Sequence, residues 1–275
     1  MSNRFAIAAF VVVGVAASAF ADDISASNGL FVRARVFNDF PTSTLTIDGV
    51  PQPVPLDYAR PGLGTFNINE QFPMGTLGSF ANKHMGYLSG DAGASPLNLH
   101  IGQSWTLDVD VKISAPAGAP RKEGAIQIEN PRPSLGFIDE GHILVASDGE
   151  VAVFGGAMPF TGFGNSYTLG QTAHLTFRYF APGVMDPTLG AYQLIFSDPV
   201  LGVKDSGVKI WGAGEPDGIK GFNDGTHLAF VAQNQRNPVI DDSSDFVYSN
   251  ISIVPAPGAL ALLGVGGLVA ARRRR

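Results

Sequence analysis

The feature that most constrains the fold is a strict alternation of apolar and polar residues between Trp105 and Ile113. Single polar residues separate five apolar ones: Trp105, Leu107, Val109, Val111 and Ile113. Successive side chains of a strand point to opposite faces, so a period of two predicts a strand with one buried face. Asp108 and Asp110 then share the solvent face, which explains them better as surface residues than as paired catalytic acids.

The same period recurs along the central part of the chain, beginning with Leu30–Val36. Asp148-Gly149 is a strong hairpin signal between two apolar segments, His142–Ser147 and Glu150–Phe154. Further strands are predicted at His174–Phe180, Ala191–Phe196, Val208–Trp211, His227–Gln233 and Phe246–Ile253. The chain has 34 glycines and 19 prolines, and no helical stripe in its centre. We expect an all-β, two-sheet jelly-roll sandwich of roughly ten strands, to which the less regular stretch Asp39–Pro96 contributes early strands and loops.

The N-terminus has the layout of a secretory signal. Arg4 precedes the apolar stretch Phe5–Ala17, and Ala19 and Ala21 form a small-x-small cleavage site. Residues 1–21 are therefore predicted to be a signal helix that signal peptidase removes, leaving Asp22 as the new N-terminus.

The C-terminus has the layout of a second targeting signal. Val254-Pro255-Ala256-Pro257 leads through Gly258 into an apolar run, and the chain ends on four basic residues: Arg272, Arg273, Arg274 and Arg275. The run of about 13 residues spans roughly 20 Å as a helix, which is short for a full membrane crossing. We expect a short transmembrane helix whose basic cluster acts as a membrane stop on the cytoplasmic side.

This layout resembles the PEP-CTERM sorting signal over residues 254–275. Pro255 and Pro257 match the family's two prolines, and Ala256 stands where the family has glutamate. The resemblance implies processing by an exosortase, a membrane-embedded cysteine protease. It also implies transient anchoring in the inner membrane, delivery to the cell surface and a link to extracellular polysaccharide. Residues 22–253 are then the exported β-sandwich ectodomain.

The strand Trp105–Ile113 and the closing segment Asp245–Ile253 are similar to concanavalin-like lectin sandwiches. In such domains the final strand pairs near the N-terminal strand. The likeness implies a concanavalin-like form of the jelly roll.

Charge and cysteine content exclude several classes of function. Five of the 18 basic residues lie in the predicted signal and tail, so the ectodomain keeps 13 against 24 acidic residues, a net charge of −11. Nucleic-acid binding is disfavoured, because it depends on basic contacts to phosphate. The chain has no cysteine, which excludes disulfides, thiol catalysis and zinc–thiolate sites.

No catalytic residue is assigned from motifs. Asp139 and Glu140 are expected in a loop within residues 136–141, without the alternating carboxylates of jelly-roll glucanases. The histidines are scattered without metal-binding spacing: His84, His100, His142, His174 and His227. There is no G-x-S-x-G nucleophile motif.

Two oxygen-rich segments are weak candidates for calcium. Asp217 and Asp224 flank one, and Asp241 and Asp242 begin the other. Hard cations take carboxylate and carbonyl ligands, but neither segment has EF-hand spacing, so solvated turns are the alternative. No other cofactor is expected.

Aromatic residues leave one further alternative open. Trp211, Phe222 and Tyr192 could stack on sugar rings at the surface, or pack in the core as aromatics of a sandwich more commonly do.

These observations favour a non-enzymatic cell-envelope or extracellular-matrix protein, either structural or binding a glycan or another protein. The alternative is a secreted carbohydrate-active enzyme, a glycoside hydrolase or polysaccharide lyase, on the same fold. The two differ in one feature: an enzyme needs at least two carboxylates, or a Tyr/His/Arg group, clustered on the concave face of one sheet. Alternation in the sequence locates no such cluster.

Overall fold

A computed structural model describes residues 24–52, 56–73, 80–132, 136–156, 158–211, 221–235 and 242–256. The predicted signal peptide and residues 257–275 lie outside these ranges, and so do Asp217 and Asp241. Within the described ranges, no helix is both long and apolar enough to cross a membrane.

The described residues form seventeen strands and one short 3-10 helix, Ile24–Ala26. Eight strands form the first sheet: β1 (Gly29–Asn38), β4 (Leu56–Pro61), β6 (Ala81–Ser89), β8 (Lys122–Arg132), β9 (Phe137–Ala146), β10 (Glu150–Gly155), β11 (Thr161–Asn165) and β16 (His227–Gln235). Their order across the sheet is β11-β10-β9-β8-β16-β6-β1-β4.

The second sheet has nine strands: β2 (Thr44–Ile47), β3 (Val50–Pro51), β5 (Phe66–Phe72), β7 (Trp105–Ser114), β12 (Thr172–Phe180), β13 (Ala191–Asp198), β14 (Gly202–Asp205), β15 (Lys209–Ile210) and β17 (Asp242–Pro255). The main path is β14-β13-β12-β7-β17-β5-β2-β3, and β15 pairs with β13. Neighbouring strands are antiparallel in both sheets. The predicted all-β, two-sheet jelly-roll sandwich is confirmed.

Alternation predicted the strand at the centre of the nine-stranded sheet. In β7 every second residue from Trp105 onward is buried and the residues between them are partly exposed. Asp110 lies on the solvent face and accepts hydrogen bonds from His174 Nδ1 and Asn250 Nδ2, both at 2.7 Å. The assignment of Asp108 and Asp110 to a polar outer face is confirmed.

Elsewhere the strands differ from the sequence expectation. The stretch 39–96 contributes five strands, among them β6, whose nine residues are all buried and therefore show no alternation. Asp139 and Glu140 lie within β9 rather than in a loop.

The last strand is longer than expected. It ends at Pro255 rather than Ile253, because Val254 and Pro255 pair with Thr106 and Trp105. The backbone N–H of Ala256 adds a hydrogen bond to Ser104 O at 2.8 Å.

The three aromatic residues for which the sequence allowed either a surface or a core position belong to the core. Trp211, Phe222 and Tyr192 are at most 1% exposed. The rings of Trp211 and Phe222 pack edge to face with centroids 5.2 Å apart, and Trp105 stacks on Phe222 at 6.2 Å. Core packing is confirmed, and a surface sugar platform made of these three residues is excluded.

Polar residues occupy one part of the space between the sheets. Glu70 is fully buried and accepts hydrogen bonds from Ser43 Oγ and Asn82 Nδ2, both at 2.6 Å, and from Asn234 Nδ2 at 2.7 Å. Burial alone would raise the pKa of Glu70, but the charge and hydrogen bond of His84 and the other donors lower it to about 2. Glu70 is therefore an ionised carboxylate whose charge is satisfied inside the core.

Candidate functional site

The outer face of the eight-stranded sheet, which points away from the core, carries polar side chains from several strands. Glu129 of β8 is the register partner of Glu140 on one side and His227 on the other. One pleat away, Gln127 is the partner of His142. Register partners in an antiparallel pair point to the same face, so these five side chains form two adjacent rows.

A groove of about 260 Å³ lies on this face. Its polar lining includes Lys83, Glu123, Glu140, His142 and Gln233. Three phenylalanines add exposed aromatic surface: Phe37, Phe80 and Phe154. A concave site with a few convergent polar groups and aromatic walls has the composition of a small-ligand or glycan site.

His142 is the group in the groove best suited to accept a proton. Its ring stacks on Phe154 with centroids 5.0 Å apart, and its Nε2 lies 3.7 Å from Glu140 Oε2. Burial, helped by the positive charge of Lys83, lowers the pKa of His142 to about 4. The imidazole is therefore neutral near pH 7 and has a free lone pair.

Lys83 supplies a cation to the same groove. It is only 4% exposed, and its Nζ lies 5.5 Å from the centre of the Phe37 ring. Burial lowers the pKa of Lys83, while Glu140, Glu129 and Glu123 act in the opposite direction and favour the charged form. An ammonium in this position can bind an anionic group of a ligand.

Tyr87 of β6 lies on the same outer face and packs in one cluster with Val231, which lines the groove. Its hydroxyl donates a hydrogen bond to Glu129 Oε1 at 2.8 Å, although β16 lies between β6 and β8. The register partner of Tyr87 on β16 is Ala229, whose small side chain leaves room for this reach. Burial and the charge of Glu129 raise the pKa of Tyr87, so the phenol stays protonated at neutral pH and can donate a proton.

Glu129 is held as a carboxylate. Burial would raise its pKa, but hydrogen bonding to His227 and Tyr87 and the charge of Arg33 lower it. The guanidinium of Arg33 lies 5.7 Å from the centre of the Tyr87 ring. The outer face thus combines an ionised carboxylate, a protonated phenol and a cation.

Sequence patterns gave no reason to group Glu140, His142 and His227. They did not single out Lys83, Tyr87, Glu129 or Arg33 at all. These side chains come from five strands, which only the fold places side by side. Both kinds of cluster expected of an enzyme are present on this face. One is the carboxylate pair Glu129 and Glu140, and the other is formed by Tyr87, His227 and Arg33. Asp139, the neighbour of Glu140, pairs with Arg132 instead.

Of the four weak calcium candidates, only Asp224 and Asp242 lie in the described ranges. Asp224 accepts hydrogen bonds from Ile101 N at 2.9 Å and His100 Nδ1 at 2.7 Å, while Asp242 forms an ion pair with Lys122. In the part of the chain that the structure describes, no group of three or more His, Cys, Asp or Glu residues could hold a metal ion. Calcium binding stays a prediction.

The processing residues are only partly described. Ala19, Ala21, Pro257 and the four terminal arginines lie outside the described ranges. Val254 and Pro255 end the last strand, and Ala256 follows it. The predicted signal and sorting functions of these residues stay predictions.

No family model matches the chain, and no curated protein matches it. Among solved structures, it is similar to an alginate lyase of polysaccharide lyase family 7, with a TM-score of 0.48, 12% identity, and coverage of 80% of this chain and 96% of that one. An alginate lyase from Corynebacterium sp. has a TM-score of 0.48, 10% identity, and coverage of 85% and 96%. Basic winged bean lectin has a TM-score of 0.42, 11% identity, and coverage of 83% and 99%. All three TM-scores are below 0.5 and all three identities are at most 12%, so the likeness carries no conclusion about the activity of this chain.

The expectation of a non-enzymatic structural or binding protein is corrected here. The outer face carries both kinds of cluster by which an enzyme was to be recognised, one of two carboxylates and one of Tyr, His and Arg side chains. The assignment of no catalytic residue is untested, and the catalytic groups named under the proposed function are a proposal.

Proposed function

We propose that the chain is a polysaccharide-cleaving enzyme whose active site is the groove on the outer face of the eight-stranded sheet. The observation that carries this proposal is the presence of neutral His142 and the cation Lys83 in one open groove. Cleavage of a uronic-acid polysaccharide by β-elimination requires a base for the proton next to the carboxylate. It also requires a positive group that stabilises the charge developing there.

The residues of the face have matching roles. His142 accepts the proton, and Lys83 binds the uronate carboxylate with the help of the amide of Gln127 or Gln233. Tyr87, whose phenol is protonated, donates a proton to the departing glycosidic oxygen. The stacked pair of His142 and Phe154 and the exposed rings of Phe37 and Phe80 give the sugar rings an apolar surface.

Hydrolysis is the second candidate, because Glu129 and Glu140 are direct register partners. Paired carboxylates on either side of a glycosidic bond are the usual machinery of glycoside hydrolases. Elimination fits the face better, since hydrolysis needs one carboxylic acid that stays protonated and the surroundings of Glu129 lower its pKa.

The test is an assay of the purified protein on uronate-containing and neutral polysaccharides. Elimination yields products with an unsaturated sugar that absorbs ultraviolet light, whereas hydrolysis yields new reducing ends without that absorbance. We expect the unsaturated product from a uronate polymer. Reducing ends alone would favour the glutamate pair, and no cleavage of any polymer would overturn the proposal.

We further propose that the enzyme belongs to the concanavalin-like subclass of the jelly roll. We also propose that it is exported through a cleaved signal helix, held briefly by the C-terminal helix and then released at the cell surface. The small-x-small site at Ala19 and Ala21 and the Pro-x-Pro motif at Pro255 support export and sorting. Intact mass of the protein from its own host should show loss of residues 1–21 and of the chain beyond about Val254. An intact tail in the inner-membrane fraction would contradict exosortase processing.

A further inference from the structure

Lys122 and Asp242 form an ion pair that is entirely enclosed between the two sheets. Lys122 begins β8 of the eight-stranded sheet, Asp242 begins β17 of the nine-stranded sheet, and both side chains have zero exposure. Lys122 Nζ contacts Asp242 Oδ2 and donates a second hydrogen bond to Gln235 O at 3.1 Å. Two full charges enclosed in this way carry a large desolvation cost, which a neutral form of the pair would avoid.

The surroundings of the pair lack the hydrogen bonds that a stable ion pair needs. Asp242 Oδ1, Asn234 Oδ1 and Ser244 Oγ are buried without a hydrogen-bond partner among the described residues. Asn234 is the register partner of Lys122, and Ser244 lies two residues from Asp242 on the same buried face of β17. The Nζ of Lys122 also lies 5.4 Å from the centre of the Phe72 ring, an apolar neighbour.

We propose that Lys122 Nζ and the side-chain carboxyl group of Asp242 condense into an amide that covalently joins β8 to β17, and with them the two sheets. This modification would be independent of the proposed enzymatic activity. It would leave a neutral group in place of two buried charges.

The reaction needs no oxidant or co-reactant. Proton transfer within the pair first gives a neutral amine and a carboxylic acid. The Nζ lone pair attacks Cγ of Asp242, the C–N bond forms, the C–OH bond breaks, and the hydroxyl group leaves with one Nζ proton as water. Burial lowers the pKa of Lys122, and this effect outweighs the opposing influence of Asp242 and Glu70, so the neutral amine is more accessible than in water.

The product would bury fewer unsatisfied groups. One oxygen of Asp242 departs with the water, so one buried acceptor is removed. The new amide N–H can donate to Gln235 O, which Nζ already contacts. A cleft of about 470 Å³ lies next to the pair and is lined in part by Asp242 and Phe72.

A covalent link here would act as a disulfide does in other proteins. The chain has no cysteine, and the link would close a loop between residues 120 positions apart. Long closed loops restrict the unfolded chain most, so a large gain in stability is expected.

The test is proteolysis of the denatured full chain followed by mass spectrometry. A protease that cleaves after lysine cannot cleave after Lys122 if its amine is in an amide. We expect one branched peptide that contains both Lys122 and Asp242 and is lighter than its two parts by one water molecule. Cleavage after Lys112 in the same digest shows that the protease is active. Linear peptides from complete cleavage after Lys122 would overturn the proposal.

A double variant, Lys122→Met with Asp242→Asn, removes both charges together and so leaves no unpaired ion to prevent folding. We expect it to have no branched peptide and a lower unfolding temperature than the wild type. A wild type that migrates as a linear chain and unfolds at the same temperature as the variant would also overturn the proposal.

Discussion

The hydroxyl group of Tyr248 joins the two sheets beneath the groove. Tyr248 belongs to β17 of the nine-stranded sheet, yet its Oη donates to Val231 O on β16 and accepts a hydrogen bond from Ala125 N on β8 at 2.9 Å. Ala125 precedes Gln127 by two residues, and Val231 lines the groove. A core residue of one sheet therefore holds the two central strands on which the candidate active site lies.

Tyr248→Phe is expected to reduce the free energy of unfolding by about 1–3 kcal/mol, because it leaves a buried N–H and a buried carbonyl without their partner. Chemical denaturation measures the change. Tyr58→Phe on the edge strand β4 is the matched control and should change stability by less than about 0.5 kcal/mol. Equal losses in the two variants would contradict the role given to the Tyr248 hydroxyl.

His142→Ala is expected to lower kcat/KM for polysaccharide cleavage by roughly 100-fold or more, the usual contribution of a general base. His174→Ala, on the solvent face of the nine-stranded sheet, should retain wild-type activity. If His142→Ala cleaves as well as His174→Ala, the base is another group.

The pH dependence of the wild type provides a second check on His142. Its pKa is lowered to about 4, so the imidazole is neutral above that value and becomes protonated as the pH falls through it. We expect kcat/KM to decline on the acid side near pH 4, provided the protein is still folded there. An acid limb near the ordinary histidine value of 6.5 would show that burial does not shift this group.

Lys83→Met should weaken the binding of a uronate polysaccharide, because it removes the cation from the groove while preserving most of the side-chain volume. We expect KM to rise more for a uronate polymer than for a neutral one, with a smaller change in kcat. Lys112→Met, on the opposite sheet, is the control. An unchanged KM in Lys83→Met would exclude Lys83 from carboxylate binding.

Glu70 should make the free energy of unfolding depend on pH in the acid range. Its pKa is about 2 in the folded protein against an ordinary value of 4.5, so its contribution is fully present above pH 4.5. That contribution is lost as the pH falls from 4.5 through 2. The shift corresponds to about 3 kcal/mol.

Glu70→Gln should remove most of this contribution at neutral pH and flatten the fall in unfolding free energy below pH 4.5. Glu150→Gln, which breaks an exposed ion pair with Arg121, should cost less than about 1 kcal/mol. Urea denaturation across this pH range compares the two. Parallel curves for the wild type and Glu70→Gln would contradict the assignment.

Sequence patterns predicted the strands that have one solvent-exposed face and one buried face, such as β7 and β12. They missed β6 and β8, in which Asn82 and Lys122 point inward and bind partners from other strands. Lys122, for example, has the pattern of a surface residue in the sequence but is paired with Asp242 in the core. Burial of a polar residue depends on its partner, and a partner distant in sequence leaves no local periodicity.

The sequence by itself determined the all-β class, the antiparallel sandwich and the acidic, cysteine-free character of the chain. These follow from side-chain alternation, turn residues and composition, which are local or additive properties. Only the tertiary structure decided where the candidate active site lies, because Lys83, Tyr87, Glu129, His142 and His227 come together through the register of four neighbouring strands. The same register set the protonation states of these side chains, since burial and neighbouring charges keep His142 neutral and Glu129 ionised.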